Sequence, residues 1–149
     1  MNKILAAISI VLAAGLLLAV PQSASAHKFA CTPGYWKNNT DTNGFDYLDD
    51  DELRSSVLGL TGFDLGPDAE ISLAEAVALR GGGQNAVFRY AAAAVYNTEA
   101  FGGEFPDNLF VDALERFEDG KISDAIKRFE KLHNESFCAI DAFGIPIPT

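Results

Sequence analysis

Cys31-Thr-Pro-Gly-Tyr-Trp-Lys37, called the organising stretch below, brings together a cysteine, a turn-forming Pro-Gly pair and the only tryptophan of the chain. The other cysteine, Cys138, lies near the opposite end of the sequence. The residues between the two cysteines carry helical rather than strand patterns. A bond between Cys31 and Cys138 would therefore link the two ends of a helical region covalently.

The first 26 residues have the features of a secretory signal peptide. Lys3 supplies a positive charge, residues 4–20 are uncharged and almost wholly apolar, and Ala24-Ser-Ala26 is a small-x-small cleavage site. The alternative is a retained membrane anchor, since an apolar run of this length can just span a thinned bilayer. We predict a signal peptide at 1–26, a secreted or cell-surface protein, and no membrane span after cleavage.

Residues 27–149 have the length of a single domain that gains from a covalent cross-link. The full sequence is acidic, with 21 Asp and Glu against 11 Lys and Arg and a formal net charge of −10. Such a charge repels nucleic acid and anionic lipid. We therefore expect one acidic domain at 27–149 and no nucleic-acid partner.

Two cysteines in an exported protein most simply form one disulfide. Closing a loop of roughly 100 residues contributes about 4.7 kcal/mol in the chain-entropy model. The alternative is a pair of thiols, one of them a nucleophile. Export favours oxidation, and we predict a bond between Cys31 and Cys138.

Five segments have the apolar spacing or the capping signals of helices. They run at about 50–60, 72–80, 84–98, 107–119 and 124–135. The tail 139–149 contains two prolines near its end and is expected to be extended. The predicted fold class is all-α: a small bundle of about five helices, closed by one disulfide between its N- and C-terminal ends.

The segment 84–98 is the most apolar of the five, and its run Ala91–Ala94 allows neighbouring helices to approach closely. We place it at the centre of the bundle. Its polar residues Arg89 and Asn97 are expected on the rim. Gly81–Gly83, just before it, would let the chain reverse from one helix into the next.

Pro33-Gly34 predicts a turn, and the large rings of Tyr35 and Trp36 follow it. In one interpretation Trp36 packs on the helices beside the disulfide. In the other, Tyr35 and Trp36 form an exposed aromatic platform that binds a glycan or a partner protein. Packing is the preferred interpretation.

The polar segment after the turn resembles a twelve-residue calcium loop with Gly44 at position 6. The candidate ligands at positions 1, 3, 5, 7 and 12 are Asn39, Asp41, Asn43, the carbonyl of Phe45, and Asp50. Calcium needs six to eight oxygens, and this spacing supplies several of them. The other interpretation is a polar loop that leads into an acidic helix start, where Asp49 to Glu52 favour the helix dipole.

The opening Cys31-Thr-Pro-Gly-Tyr-Trp-Lys-Asn38 resembles that of a widespread group of exported bacterial and archaeal modules, which begin C-T-P-G-[YF]-W-K-N-H. The group continues with G-G-G and an Ala-rich helix ending in Asn, and it closes on a second cysteine after a helix. The similar parts here are Gly81–Gly83, Asn85–Asn97 and Leu132–Cys138. Asn39 stands where the group usually has His, so no metal or catalytic role of that His carries over. The resemblance implies an extracellular or cell-surface helical module with no known reaction.

No catalytic residue can be assigned from motifs. The sequence contains no H-E-x-x-H, C-x-x-C, G-x-S-x-G or P-loop pattern. Facing carboxylates from Asp49–Glu52 or Glu115–Asp119 leave a small acidic-pair hydrolase as one alternative. The calcium-binding extracellular module using residues 39–50 is the other. The leading hypothesis is a secreted or cell-surface structural or binding module that needs no cofactor and has a cell-surface protein or a glycan as partner.

Overall fold

A computed structural model of the protein describes residues 30–101, 108–135 and 138. Within these ranges the chain forms six α-helices and no strand longer than an isolated bridge. They are α1 (Pro33–Asn43), α2 (Leu53–Thr61), α3 (Leu73–Ala78), α4 (Gln84–Phe101), α5 (Asn108–Glu118) and α6 (Ile122–Glu135). Short 3-10 turns at Asp46–Leu48 and Pro67–Ala69 lie in the connections. The predicted all-α fold class is confirmed, with one helix more than expected.

The expected signal peptide at 1–26 and the extended tail at 139–149 lie outside the described residues. The start of the domain at residue 27 therefore stays a prediction from sequence. Of the helices in the described ranges, none combines the length and apolar character needed to cross a membrane.

The additional helix is α1, and it corrects the turn predicted at Pro33-Gly34. Thr32 is the N-cap, and its hydroxyl accepts a hydrogen bond from the backbone N–H of Tyr35 at 3.2 Å. Pro33 occupies the first helical position, where its missing N–H costs nothing and its φ angle already suits a helix. The helix ends at Gly44, which has a φ of 73°. The sequence Thr-Pro-Gly therefore starts a helix rather than reversing the chain.

The starts of α2 and α3 are joined by backbone hydrogen bonds. The N–H of Leu53 donates to the carbonyl of Ile71 at 2.9 Å, and that of Leu73 donates to Asp51 at 2.8 Å. Ser72 and Glu75 form the capping box expected at the start of α3, with both reciprocal hydrogen bonds present. These bonds set the two helices side by side.

Helix α4 is the central helix, as the sequence predicts. It contacts α1, α2, α3 and α6. Every residue from Ala91 to Asn97 is buried. The small side chains of Ala91–Ala94 allow neighbours to pack close to the backbone. Helices α5 and α6 pair as a hairpin around Gly120, which has a φ of 74°.

The disulfide between Cys31 and Cys138 is present, and it joins the N-terminal end of the bundle to a residue three positions after the end of α6. Their Cα atoms lie 4.5 Å apart, with 107 positions of sequence separation. Cys31 is fully buried. The predicted closure of the bundle by one disulfide is confirmed.

Candidate functional site

The carboxamide of Asn97, on α4, binds the start of the organising stretch through three hydrogen bonds. Its Oδ1 accepts from the backbone N–H of Cys31 at 2.8 Å and from the indole Nε1–H of Trp36 at 2.9 Å. Its Nδ2 donates to the carbonyl of Cys31 at 3.1 Å. The two donors that face Oδ1 define the orientation of the amide. We call Asn97, Cys31 and Trp36 the Asn97 clasp.

The clasp corrects the expected position of Asn97. This side chain was predicted on the rim of its helix, yet it is fully buried and is the only buried polar residue among the described ones. Buried polar groups need partners, and the residues just before α1 have backbone groups that no helix satisfies. Trp36 is the signal that could have revealed this role of Asn97. Its packing against the helices was the preferred interpretation, and a buried indole N–H usually requires an acceptor.

The ring of Trp36 has no exposed surface. It stacks on Tyr96 with the ring centroids 5.3 Å apart and an interplanar angle of 18°. Phe45 and Tyr35 meet it edge to face at centroid distances of 5.5 and 5.1 Å. In this arrangement Trp36 cannot act as an exposed aromatic platform, and Tyr35, its proposed companion, is itself half-buried.

A second polar contact extends the clasp to the acidic segment. The hydroxyl of Tyr96 donates to Oδ1 of Asp49 at 2.5 Å, and Thr40 donates to Oδ2 at 3.1 Å. The backbone carbonyl of Asp49 accepts from the N–H of Ala74 at 3.2 Å. Burial and the bond to Asp49 raise the pKa of Tyr96 well above its usual range. Asp49 thus joins α1, α3 and α4, a role that its place in an acidic run did not reveal.

The loop conformation assumed for calcium binding is wrong. Asn39, Asp41 and Asn43 all lie within α1, where Asp41 points away from the face shared by Asn39 and Asn43, so the three side chains do not encircle an ion. The Phe45 carbonyl accepts from the N–H of Leu48 at 3.0 Å, and Asp50 is exposed on the following turn. The physical reason is that Thr32 and Pro33 start a helix that runs through the polar residues.

The amide nitrogens of Asn39 and Asn43 are engaged within the helix. Asn39 Nδ2 donates to the carbonyl of Tyr35 at 2.7 Å, and Asn43 Nδ2 donates to the Tyr35 hydroxyl at 2.8 Å. Across the described ranges there is no group of three or more His, Cys, Asp or Glu placed to hold a metal ion. Binding of calcium by residues 39–50 stays a prediction from sequence.

Tyr47 is the most exposed large apolar side chain of the described residues, with 59% of its surface accessible. Its hydroxyl donates to Glu99 at 2.6 Å, and this bond raises the pKa of Tyr47 to about 12. Beside it a groove of about 290 Å³ runs between α2 and α4. Leu48, Leu60 and Val95 supply apolar surface, and Ser55, Ser56, Thr98 and Glu99 supply oxygen atoms. Because the described residues of its lining include a carboxylate and no cation, the groove suits neutral rather than anionic ligands.

His133 lies on α6 against Tyr90, with the ring centroids 5.1 Å apart. Its Nδ1 is buried and has no hydrogen-bond partner in the described part of the chain. Burial lowers the pKa of His133 to about 4. A neutral imidazole packed on a phenol ring is a core residue rather than a catalytic base.

Acidification should destabilise the protein through His133. In the unfolded chain His133 takes up a proton near pH 6.5, whereas in the folded protein it does so near pH 4, so stability is lost as the pH falls through this window. We expect a loss of about 2 kcal/mol between pH 7 and pH 5. Urea unfolding at several pH values measures it. His133→Gln should remove most of this slope, and an unchanged slope in that variant would contradict the assignment.

Comparisons with protein-family models, with curated proteins and with solved structures find no match to this chain.

Proposed function

We propose that the protein is an exported structural or binding module that acts outside the cell or at its surface. The observation that carries the proposal is the Asn97 clasp. Cys31 and Trp36, the reactive and aromatic residues of the organising stretch, are directed into the core. Because the organising stretch closes the fold, the surfaces that can bind a partner are the outer faces of the helices.

The disulfide supports an oxidising location. Cys31 and Cys138 are bonded to each other, and such bonds persist outside the cytoplasm. The sequence before Cys31 supports export independently, because residues 1–26 have the charge, apolar run and small-residue site of a signal peptide. The partner would be a cell-surface protein or a glycan.

The proposal is tested by expressing the full chain with its own first 26 residues and fractionating the cells. We expect material outside the cytoplasm that begins at His27 and carries the Cys31–Cys138 bond in non-reducing peptide mass spectrometry. A matched control replaces Ala24 and Ala26 with bulky residues, which should block cleavage. Uncleaved cytoplasmic protein with two thiols would contradict the proposal.

A further inference from the structure

A basic groove lies on the α5–α6 hairpin of this acidic protein. It has a volume of about 380 Å³ and is lined by Arg116, Asp124, Lys127, Arg128 and Lys131. These five residues are called the basic groove below. Four of the five are cationic, although the chain as a whole has a net charge of −10. The local sign of charge is therefore opposite to that of the molecule.

The spacing of the residues on α6 produces this groove. Asp124, Lys127, Arg128 and Lys131 are separated by three, one and three positions, which places them on one face of the helix. Arg116 reaches the same face from α5, since the two helices pack against each other. The cations thus converge from two helices held in a hairpin.

Asp112, on α5, holds both guanidinium groups of the groove. Its Oδ1 lies 3.3 Å from Nε of Arg116, and its Oδ2 lies 2.8 Å from Nε of Arg128. Both arginines are thus bound through Nε. Their terminal amino groups have no hydrogen-bond partner among the described residues, and both side chains are more than a third exposed. Asp112 therefore positions two guanidinium forks whose outer edges remain available.

We propose that the basic groove binds an oxyanion of the phosphate or sulfate type. The terminal N–H groups of Arg116 and Arg128 would donate bidentate hydrogen bonds, the geometry in which guanidinium groups recognise such anions. Lys127, which lies 3.4 Å from Asp124, adds a point charge.

The charge of the whole molecule selects the form of the ligand. At physiological ionic strength, charges act over about 8 Å, so a small anion in the groove experiences mainly the nearby cations. A long polyanion extends beyond the groove onto acidic surface and is repelled. The preferred ligand is therefore a free anion or a single terminal group. This assigns a ligand class to the proposed extracellular module. It rests on the proposed function only for the compartment in which the protein binds the anion.

The proposal is tested by titrating the purified, disulfide-intact protein with inorganic phosphate and with sulfate at constant ionic strength. The ¹⁵N NMR chemical shifts of the protein report binding. We expect saturable shifts confined to α5 and α6. Arg128→Gln should weaken binding about tenfold, the effect of one lost charge-assisted pair. Lys121→Gln is the matched control, since Lys121 pairs with Asp119 at 2.8 Å and lies outside the groove lining. Shifts that do not saturate, or equal weakening in both variants, would overturn the site.

The Asp112→Asn variant tests whether Asp112 contributes to anion binding by positioning the two guanidinium groups or only through its charge. The variant adds one net positive charge beside the groove, so binding would tighten if charge alone mattered. Loss of the carboxylate that holds both Nε atoms should instead weaken binding. Tighter binding would overturn the positioning role, and a thermal melt of each variant checks that the hairpin is folded.

A second titration with polyphosphate identifies the source of the anion. Inorganic phosphate should bind more tightly per phosphate group than the polymer does. The reverse order would contradict a site for a single anion. These titrations need only the folded domain, so their failure is distinguishable from a failure of export.

Discussion

Replacing Asn97 with leucine should cost the protein about 3–9 kcal/mol of unfolding free energy. The substitution leaves three buried groups without their partner: the N–H and carbonyl of Cys31 and the indole N–H of Trp36. Each buried group without a hydrogen bond costs about 1–3 kcal/mol. Domains of this size have total stabilities of only about 5–15 kcal/mol. Urea denaturation, followed by far-UV circular dichroism, measures the change.

Asn38→Ala is the matched control for Asn97→Leu. Asn38 also donates an amide hydrogen bond, to the carbonyl of Gly34 at 2.8 Å, but it is exposed. We expect a change within about 0.5 kcal/mol. Should the leucine variant fail to fold, Trp36→Phe removes one donor from the clasp and is expected to lose about 1–3 kcal/mol. A leucine variant as stable as the parent protein would show that the clasp does not hold the bundle.

Removing the disulfide with Cys31→Ala and Cys138→Ala should lower the unfolding free energy by about 2–5 kcal/mol. The bond spans 107 sequence positions, so its loss greatly enlarges the conformational freedom of the unfolded chain. The variant should keep its helices, since α4 and its neighbours are packed independently of the bond. Urea unfolding of the oxidised parent and the double variant gives the difference.

Reduced parent protein is the control for the double alanine variant, because it lacks the bond and keeps both side chains. The two should unfold at similar urea concentrations. Removing the disulfide and replacing Asn97 should have non-additive effects on the unfolding free energy, because Asn97 binds both the N–H and the carbonyl of Cys31. A loss of less than about 1 kcal/mol on removing the disulfide would contradict its role in closing the fold.

Much of the fold could be predicted because its signals are local. The capping signal before α3 and the apolar run of α4 each act within a few residues. The chain contains two cysteines, so each is the only possible intramolecular disulfide partner of the other. These features depend on short-range chemistry that the sequence displays directly.

The features that the sequence did not predict all depend on contacts between residues far apart in the chain. Helix α1 is composed of residues such as Asn, Thr and Asp that usually favour turns, yet the Thr32 cap and the burial of Trp36 stabilise it as a helix. Asn97 looked like a surface residue because its partners lie more than 60 positions away. The groove beside Tyr47 and the guanidinium pair held by Asp112 depend on distances between helices, which no spacing along the chain reveals.

The organising stretch is held inside the bundle by Asn97. Hydrogen exchange of the indole N–H of Trp36 tests it most directly, because the chain contains a single tryptophan and so gives a single indole resonance. The clasp predicts exchange only through global unfolding, with a free energy of opening equal to that from urea denaturation. Exchange at the rate of an exposed indole would contradict it.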